Sequence, residues 1–162
     1  MSTANRLTLT TTSVAKTRTL ARRVAKLLRA GDVLLLQGPL GAGKTAFTQG
    51  LAQGLGLPTE VTSPTFILIA AHPRGEASLP LFHADLYRLT DPLEVDDLHL
   101  AEQATDGVLV VEWPERAFEE LPPDHLLIVI EPDSDQPNSR RFTFVASGDR
   151  HREIVDGLQA RA

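Results

Sequence analysis

Apolar positions recur along the chain with two different periods, one typical of strands and the other of helices. A period of two predicts a strand at 6–10, and apolar residues four positions apart predict a helix at 47–55. An uninterrupted apolar run at 33–36 is typical of a strand that is buried on both faces of a parallel sheet, and the same holds for 108–111. Glycine and proline clusters separate these segments and mark the turns between them.

Strands and helices are predicted to follow one another over the whole chain. The predicted strands lie at 6–10, 33–36, 66–70, 79–85, 107–112, 125–130 and 140–146. The first predicted helix runs from the cap at Thr12 or Ser13 to Gly31, and the second from 44 to the glycine cluster at 54–58. Two further helices are predicted over 91–104 and over 150–161. The strands at 66–70 and 79–85 flank a Pro-Arg-Gly turn, which predicts an antiparallel hairpin. The pattern therefore predicts one mixed α/β domain spanning residues 1–162.

The segment 91–104 predicts a helix with two contrasting faces. An Asp-Pro pair at its start is typical of a helix N-terminus. Leu93, Leu98 and Ala101 are expected to face inward. The outward face would then be acidic, formed by Glu94, Asp96, Asp97 and Glu102.

Composition and charge narrow the class of protein. The chain has 162 residues, a net charge of −5 and no cysteine, so one sizeable core is expected and disulfides and thiolate metal sites are excluded. The net negative charge argues against a broad nucleic-acid surface. Basic clusters at 22–29, 140–141 and 150–152 are interpreted as solvated faces, with an acidic partner protein as the alternative. Because no bilayer-spanning run or secretory pattern is found, we expect a cytoplasmic protein without membrane contact.

The octapeptide at 38–45 carries the strongest chemical signal. It reads Gly-Pro-Leu-Gly-Ala-Gly-Lys-Thr and matches the phosphate-binding pattern G-x-x-x-x-G-K-S/T, between a predicted strand and a predicted helix. Its glycines let backbone N–H groups approach phosphate oxygens, and the helix N-terminus adds a partial positive charge. Lys44 is expected to reach the β- and γ-phosphates, and the Thr45 hydroxyl to ligate Mg²⁺. The expected nucleotide-binding residues are Gly38, Pro39, Leu40, Gly41, Ala42, Gly43, Lys44 and Thr45.

The loop and the order of elements together specify the fold class. We predict an α/β, P-loop NTPase-like three-layer sandwich, with a parallel core sheet and antiparallel additional strands. In such a fold a carboxylate at the end of a neighbouring strand completes the magnesium site. Glu112, which follows the apolar run 108–111, is the first candidate, with an ion pair to Arg116 as the alternative role. Asp85 is the second, with an ion pair to Arg88 as the alternative role.

Three further features have both a functional and a structural interpretation. The segment Ser63–Phe66 lies where nucleotide-responsive switches occur in related architectures, although it also fits the start of a strand. Trp113, the single tryptophan, either packs in the core or lies beside the nucleotide. His83 has no second histidine at metal spacing and is expected to pack or to bond locally.

Four strings in fixed order carry a resemblance to a known family. The phosphate loop is followed by Ser-Pro-Thr-Phe at 63–66, His-Ala-Asp-Leu-Tyr-Arg-Leu at 83–89 and Val-Glu-Trp-Pro at 111–114. Over about residues 7–130 the chain resembles the TsaE (YjeE) family, small P-loop ATPases of tRNA threonylcarbamoyladenosine biosynthesis. The resemblance implies Mg²⁺-dependent ATP binding and hydrolysis that is weak in isolation.

The resemblance also implies partners and residue roles. The partners would be the proteins TsaD and TsaB, whose complex modifies adenosine 37 of tRNAs that read codons beginning with adenine. ATP hydrolysis would drive or reset that complex, tRNA would be involved only indirectly, and the protein alone would be a monomer. The implied catalytic group is Lys44, Asp85, Glu112 and the switch residue Thr65, with Thr45 and Glu112 on the metal and Trp113, Thr12 and Ser13 beside the nucleotide.

The chain departs from the family pattern at one position of the phosphate loop, and two alternative functions stay open. Pro39 stands where the family often has aspartate, from which we expect altered stiffness and retained binding. No arginine near the loop could serve as a finger, so Arg88 or a partner-supplied arginine would have to do so. A small-molecule kinase is one alternative, although no arginine-rich lid segment is evident. A nucleotide-gated binding module without catalysis is the other.

Overall fold

The computed structural model describes residues 5–57, 69–72, 79–103 and 105–160. Its strands are β1 (Arg6–Thr11), β2 (Val33–Gln37), β3 (Ile69–His72), β4 (Leu81–Asp85), β5 (Val108–Glu112), β6 (His125–Pro132) and β7 (Arg140–Ser147). Its helices are α1 (Val14–Ala25), α2 (Lys44–Gly54), α3 (Glu94–Leu98), α4 (Leu100–Gln103) and α5 (Asp149–Ala160), with 3₁₀ turns at Pro114–Arg116 and Phe118–Glu120. Among these residues no helix is long and apolar enough to cross a membrane.

The seven strands of the described residues form one sheet, in the order β1-β7-β6-β2-β5-β4-β3. The central strand β2 pairs in parallel with β5 and with β6, and β4 pairs in parallel with β5. The outer pairs are antiparallel: β6 with β7, β7 with β1, and β3 with β4. The predicted parallel core with antiparallel additions is therefore confirmed, as are the strand at 6–10, which lies at an edge of the sheet, and the antiparallel pairing of the predicted hairpin.

Alternating residues of the central strands face two separate apolar layers. Leu34 and Leu36 lie in a cluster with the buried residues of α1, α2 and α5. Val33 and Leu35 lie in a second cluster with Val95, Leu100 and the segment that follows β5. Because both faces of β2 and β5 are covered, their runs are apolar at every position, which confirms the three-layer arrangement.

The helix α1 fixes the position of α2, the helix that continues the phosphate loop. The Ser13 hydroxyl caps α1 by accepting a hydrogen bond from Lys16 N at 3.1 Å. A methyl group on Gly50 of α2 would lie 2.6 Å from the carbonyl oxygen of Arg18, so the two helices meet at backbone contact. The predicted end of α1 at Gly31 is wrong, because the helix ends at Ala25 and a turn closed by Asp32 follows.

The single helix predicted over 91–104 is also wrong. Two short helices, α3 and α4, are separated by His99, whose φ of 49° is left-handed. Leu93, which was expected to face inward, is 61% exposed, whereas Val95 and Leu100 are buried. The side chain of Leu98 lies outside the described part of the structure. Residues five positions apart lie about 140° apart on a continuous helix, so the break at His99 is what brings both side chains to the core. Ala101 is likewise exposed.

Candidate nucleotide-binding site

The phosphate loop spans the turn from the end of β2 to the start of α2. Gly43 precedes α2 with a φ of 108°, a conformation that residues with a side chain rarely adopt. Gly38 follows β2, and a Cβ there would lie 2.6 Å from the carbonyl oxygen of Ile130 in β6. Two of the motif's glycines are therefore required by backbone geometry, one by its dihedral angles and one by a neighbouring strand.

Lys44 is held at the base of this loop by two contacts. The residue is 6% exposed, and its Nζ donates to the carbonyl oxygen of Gly38 at 2.6 Å. The same atom lies 3.5 Å from the centre of the Trp113 ring, which is a cation–π contact. Burial lowers the pKa of Lys44, and the nearby carboxylates of Glu112, Glu115 and Asp85 oppose that shift.

The two predicted carboxylates lie side by side at the carboxyl ends of β4 and β5. Asp85 is paired with Glu112 in the parallel register of these strands. Glu112 is buried, and its Oε2 lies 2.5 Å from Nε2 of His83, which is fully buried one strand away. Oε2 of Glu112 thus contacts His83, whereas the guanidinium of Arg116, the alternative partner, lies 5.5 Å from the centre of the Tyr87 ring.

Asp85 has a different environment from Glu112. Its Oδ1 accepts a hydrogen bond from Tyr87 N at 2.9 Å, and Arg88, the alternative partner, is exposed. Burial raises the pKa of Asp85; the Tyr87 N–H opposes this shift, and the charge of Glu112 adds to it. Two adjacent strand ends therefore supply one carboxylate fixed by a histidine and one carboxylate in which the proton is held more strongly than usual.

One cavity of about 350 Å³ is bounded by the loop and by both strand ends. Its lining residues are Leu40, Gly41, Gly43, Lys44, Thr45, Asp85, Glu112 and Trp113. The cation, the hydroxyl and the carboxylates expected from the sequence thus face one space. A loop of glycine backbone with a lysine at its base fits the phosphates of a nucleotide.

The oxygen donors of this cavity also fit Mg²⁺. The exposed Thr45 and the carboxylate of Glu112 are hard oxygen ligands of the kind that Mg²⁺ prefers. Within the part of the chain that the structure describes, no group of three or more His, Cys, Asp or Glu side chains could hold a metal alone. A Mg²⁺ ion held by one or two protein oxygens and completed by nucleotide phosphates and water matches this donor set.

Trp113 occupies a strained position beside the cavity. Its φ of 58° is left-handed, which is uncommon for a residue with a bulky side chain. The indole packs against Tyr87, with ring centres 4.8 Å apart and ring planes tilted by 50°, and it also contacts the ammonium group of Lys44. The ring therefore lines the cavity and also packs against its neighbours, and its position beside a nucleotide stays a prediction.

The other predicted residues lie outside this cavity lining. Thr12 is exposed, and Ser13 caps α1. Pro39 is exposed, and its carbonyl oxygen accepts from Ala42 N at 3.1 Å. Thr65 and the predicted switch at 63–66 lie outside the described residues, so their roles stay predictions.

Two residues of this region were not singled out as functional by the sequence. His83 was expected only to bond locally, yet it holds Glu112; its spacing of two residues from Asp85, which puts both on one face of β4, was a usable signal. Arg140 was assigned to a solvated basic cluster, yet its guanidinium donates to the carbonyl oxygens of Gly41 and Ala42 in the loop. Nothing in the local pattern around Arg140 indicates that contact.

This chain is similar to known proteins in both sequence and structure. A family model described as "Threonylcarbamoyl adenosine biosynthesis protein TsaE" matches residues 11–142. The chain is 42% identical over 149 residues to the tRNA threonylcarbamoyladenosine biosynthesis protein TsaE of Bacillus subtilis, covering 91% of this chain and 90% of that protein. It is 51% identical over 115 residues to the protein of that name from Streptomyces coelicolor, and the alignment covers 70% of this chain and 78% of that protein. The crystal structure of YdiB from Bacillus subtilis aligns with a TM-score of 0.78 at 36% identity, over 96% of this chain and 95% of that one.

Proposed function

The chain belongs to the TsaE family, and from this premise we propose that it binds ATP with Mg²⁺ and hydrolyses it in the biosynthesis of threonylcarbamoyladenosine in tRNA. The observation that carries the proposal is the single cavity onto which Lys44, Thr45, Asp85 and Glu112 all open. A loop that only binds phosphate would not need two strand-end carboxylates beside it, whereas hydrolysis needs groups that orient water and hold the metal.

Each side chain of the cavity has a role in this proposal. The loop backbone and Lys44 bind the phosphates, and Lys44 exchanges the carbonyl oxygen of Gly38 for a phosphate oxygen. Thr45 and Glu112 would hold Mg²⁺, which when bound neutralises charge on the phosphate oxygens. Asp85 orients the attacking water through its carboxylate, and its raised pKa suits a group that accepts a proton. His83 keeps Glu112 in a fixed orientation.

We further propose that the activity depends on partner proteins. Lys44 is the one cationic side chain among the residues that line the cavity, so the described site offers no arginine finger. Arg88 or an arginine of the TsaB–TsaD complex would complete it, and hydrolysis would drive or reset that complex while tRNA is engaged indirectly. The protein would act in the cytoplasm and be a monomer when alone.

Binding is tested through the single tryptophan. Because Lys44 leaves the face of Trp113 when it meets a phosphate, ATP or ADP is expected to change the tryptophan fluorescence of the wild-type protein. The Lys44→Ala variant, which has no ammonium on the ring, is the matched control and is expected to respond weakly. An unchanged spectrum at saturating nucleotide, with binding verified by calorimetry, would remove Trp113 from the site.

Hydrolysis is tested by phosphate release with and without purified TsaB–TsaD. We expect slow release by the isolated protein, faster release with the complex, and at least about a hundredfold loss in Glu112→Ala with ATP binding partly retained. Wild-type turnover by Glu112→Ala would exclude the assigned role of Glu112. Full tRNA modification supported by Lys44→Ala would favour the binding module without catalysis.

A further inference from the structure

Arg140 crosses from the start of β7 to the phosphate loop and donates to four backbone carbonyl groups. Its Nε lies 2.9 Å from the carbonyl oxygen of Ala42, and Nη2 lies 3.2 Å from that of Gly41. Nη1 lies 2.6 Å from the carbonyl oxygen of Pro137 and 2.9 Å from that of Ser139. One guanidinium thus joins the β6–β7 turn to two consecutive residues of the loop.

The guanidinium of Arg140 donates hydrogen bonds to carbonyl oxygens and does not pair with a carboxylate of the described residues. Among the described residues no carboxylate lies within ion-pair distance of it, whereas its neighbour Arg141 pairs with Glu131. Hydrogen bonds from a charged donor are stronger than neutral ones, and a planar guanidinium can hold several acceptors in a fixed geometry. Arg140 is therefore suited to hold backbone and is poorly placed to be a phosphate ligand.

Holding these two carbonyl groups also determines where two N–H groups point. In a trans peptide the C=O and the following N–H point in opposite directions. With the carbonyl of Ala42 turned to Arg140, the N–H of Gly43, a residue that lines the cavity, points away from Arg140. With the carbonyl of Gly41 turned the same way, the N–H of Ala42 donates to the carbonyl oxygen of Pro39 at 3.1 Å and closes the turn of the loop.

We propose that Arg140 is a positioning residue that holds the phosphate loop in its anion-binding conformation before a nucleotide arrives. The loop contains glycines at 41 and 43, which have the greatest conformational freedom, so an external restraint reduces the entropy that binding must remove. It also keeps two carbonyl oxygens away from the negatively charged phosphates. The inference rests on the proposed nucleotide binding, and it assigns to Arg140 a role that acts through the loop backbone.

The binding test compares conservative substitutions at two adjacent arginines. Arg140→Lys keeps the charge, but its single nitrogen cannot span the carbonyl groups of Gly41 and Ala42 while also reaching the β6–β7 turn. We expect it to weaken ADP and ATP binding about tenfold by calorimetry, and Arg140→Gln to a similar extent. Arg141→Lys, at a site whose side chain pairs with Glu131 away from the loop, is the control and is expected to bind as the wild type does.

A second readout is independent of nucleotide. Hydrogen exchange of the Ala42 amide is expected to quicken in Arg140→Lys, while amides of β2 and α1 exchange as in the wild type and the thermal midpoint is nearly unchanged. Wild-type binding by Arg140→Lys, or binding that Lys restores and Gln does not, would overturn the proposal, since the charge alone would then suffice. Faster exchange throughout the molecule would also overturn the proposal, because Arg140 would then stabilise the whole fold and not the phosphate loop in particular. If the wild type itself binds no nucleotide, the proposed function fails, and the Ala42 amide still decides whether Arg140 orders the loop.

Discussion

Glu112 and His83 show how the site depends on single side chains from neighbouring strands. The carboxylate of Glu112 is buried at the end of β5, and the ring of His83 in β4 is fully buried beside it. A buried carboxylate is costly unless a hydrogen-bond donor satisfies it. The pair therefore supports the proposed chemistry and also makes the carboxyl edge of the sheet sensitive to substitution.

Replacing His83 with leucine is expected to destabilise the protein by about 2–4 kcal/mol, because the Glu112 carboxylate stays buried without that donor. Urea unfolding monitored by circular dichroism measures the loss. The double variant His83→Leu/Glu112→Leu removes both polar groups and is expected to recover much of the stability. If the double variant were as unstable as the sum of the two single variants, the pair would not be coupled.

At the residue scale, the sequence indicates functional side chains at the ends of strands. It does not indicate the residues from distant segments that hold the site in position. Glu112 was predicted because it directly follows an apolar run, and Asp85 because it ends another predicted strand; the carboxyl ends of parallel strands meet at one edge. Arg140 contacts Gly41 and Ala42 only because β7 pairs with β6 and β6 with β2. Contacts between segments about 98 residues apart depend on strand order and register, which the local pattern does not contain.

At the level of elements, the predictions that succeeded are likewise those that depend only on the local sequence pattern. The strands β2 and β5 are covered on both faces, so their runs 33–36 and 108–111 are apolar at every residue and the pattern is unambiguous. The prediction of one helix over 91–104 was wrong because Val95 and Leu100, which are buried, are five positions apart and both reach the core only through the left-handed turn at His99. Helical periodicity assumes an unbroken helix, and nothing in the apolar spacing signalled that break.

The contact between α1 and α2 leads to a prediction about glycine. Alanine normally favours a helix interior over glycine by about 1 kcal/mol, yet a Cβ at Gly50 would lie 2.6 Å from the backbone oxygen of Arg18. We expect Gly50→Ala to destabilise the protein by about 1–3 kcal/mol in urea unfolding, because backbone has to move. Gly157→Ala in α5 is the matched control, since the three atoms nearest to its Cβ would all belong to the flexible side chain of Leu27. Equal effects at the two glycines would contradict close backbone packing as the reason for Gly50.

For the molecule as a whole, α5 is joined to the first residues of β2 by a histidine that has to be neutral. Val33 N donates to Nε2 of His151 at 3.1 Å, and Nδ1 of this buried ring has no hydrogen-bond partner in the described structure. Arg150 binds Asp32 directly beside it. Burial lowers the pKa of His151; the carboxylate of Asp32 opposes this shift and the cation of Arg150 adds to it. Protonation of His151 at Nε2 would place a second donor opposite the Val33 N–H, which breaks this hydrogen bond, and would bury a positive charge in the core.

Stability is therefore expected to fall as the pH is lowered from neutrality. The folded-state pKa of His151 lies below its ordinary value, so above about 6.5, the unfolded pKa, both states are neutral and the full stability is present. As the pH falls from there toward the folded pKa, only the unfolded state gains the proton, which lowers the free energy of unfolding by at most about 1.4 kcal/mol per pH unit. His151→Gln can still accept from Val33 N and does not titrate, so urea unfolding of this variant between pH 7.5 and 5 should show a shallower pH dependence. Parallel pH profiles for the variant and the wild type would mean that other groups account for the loss.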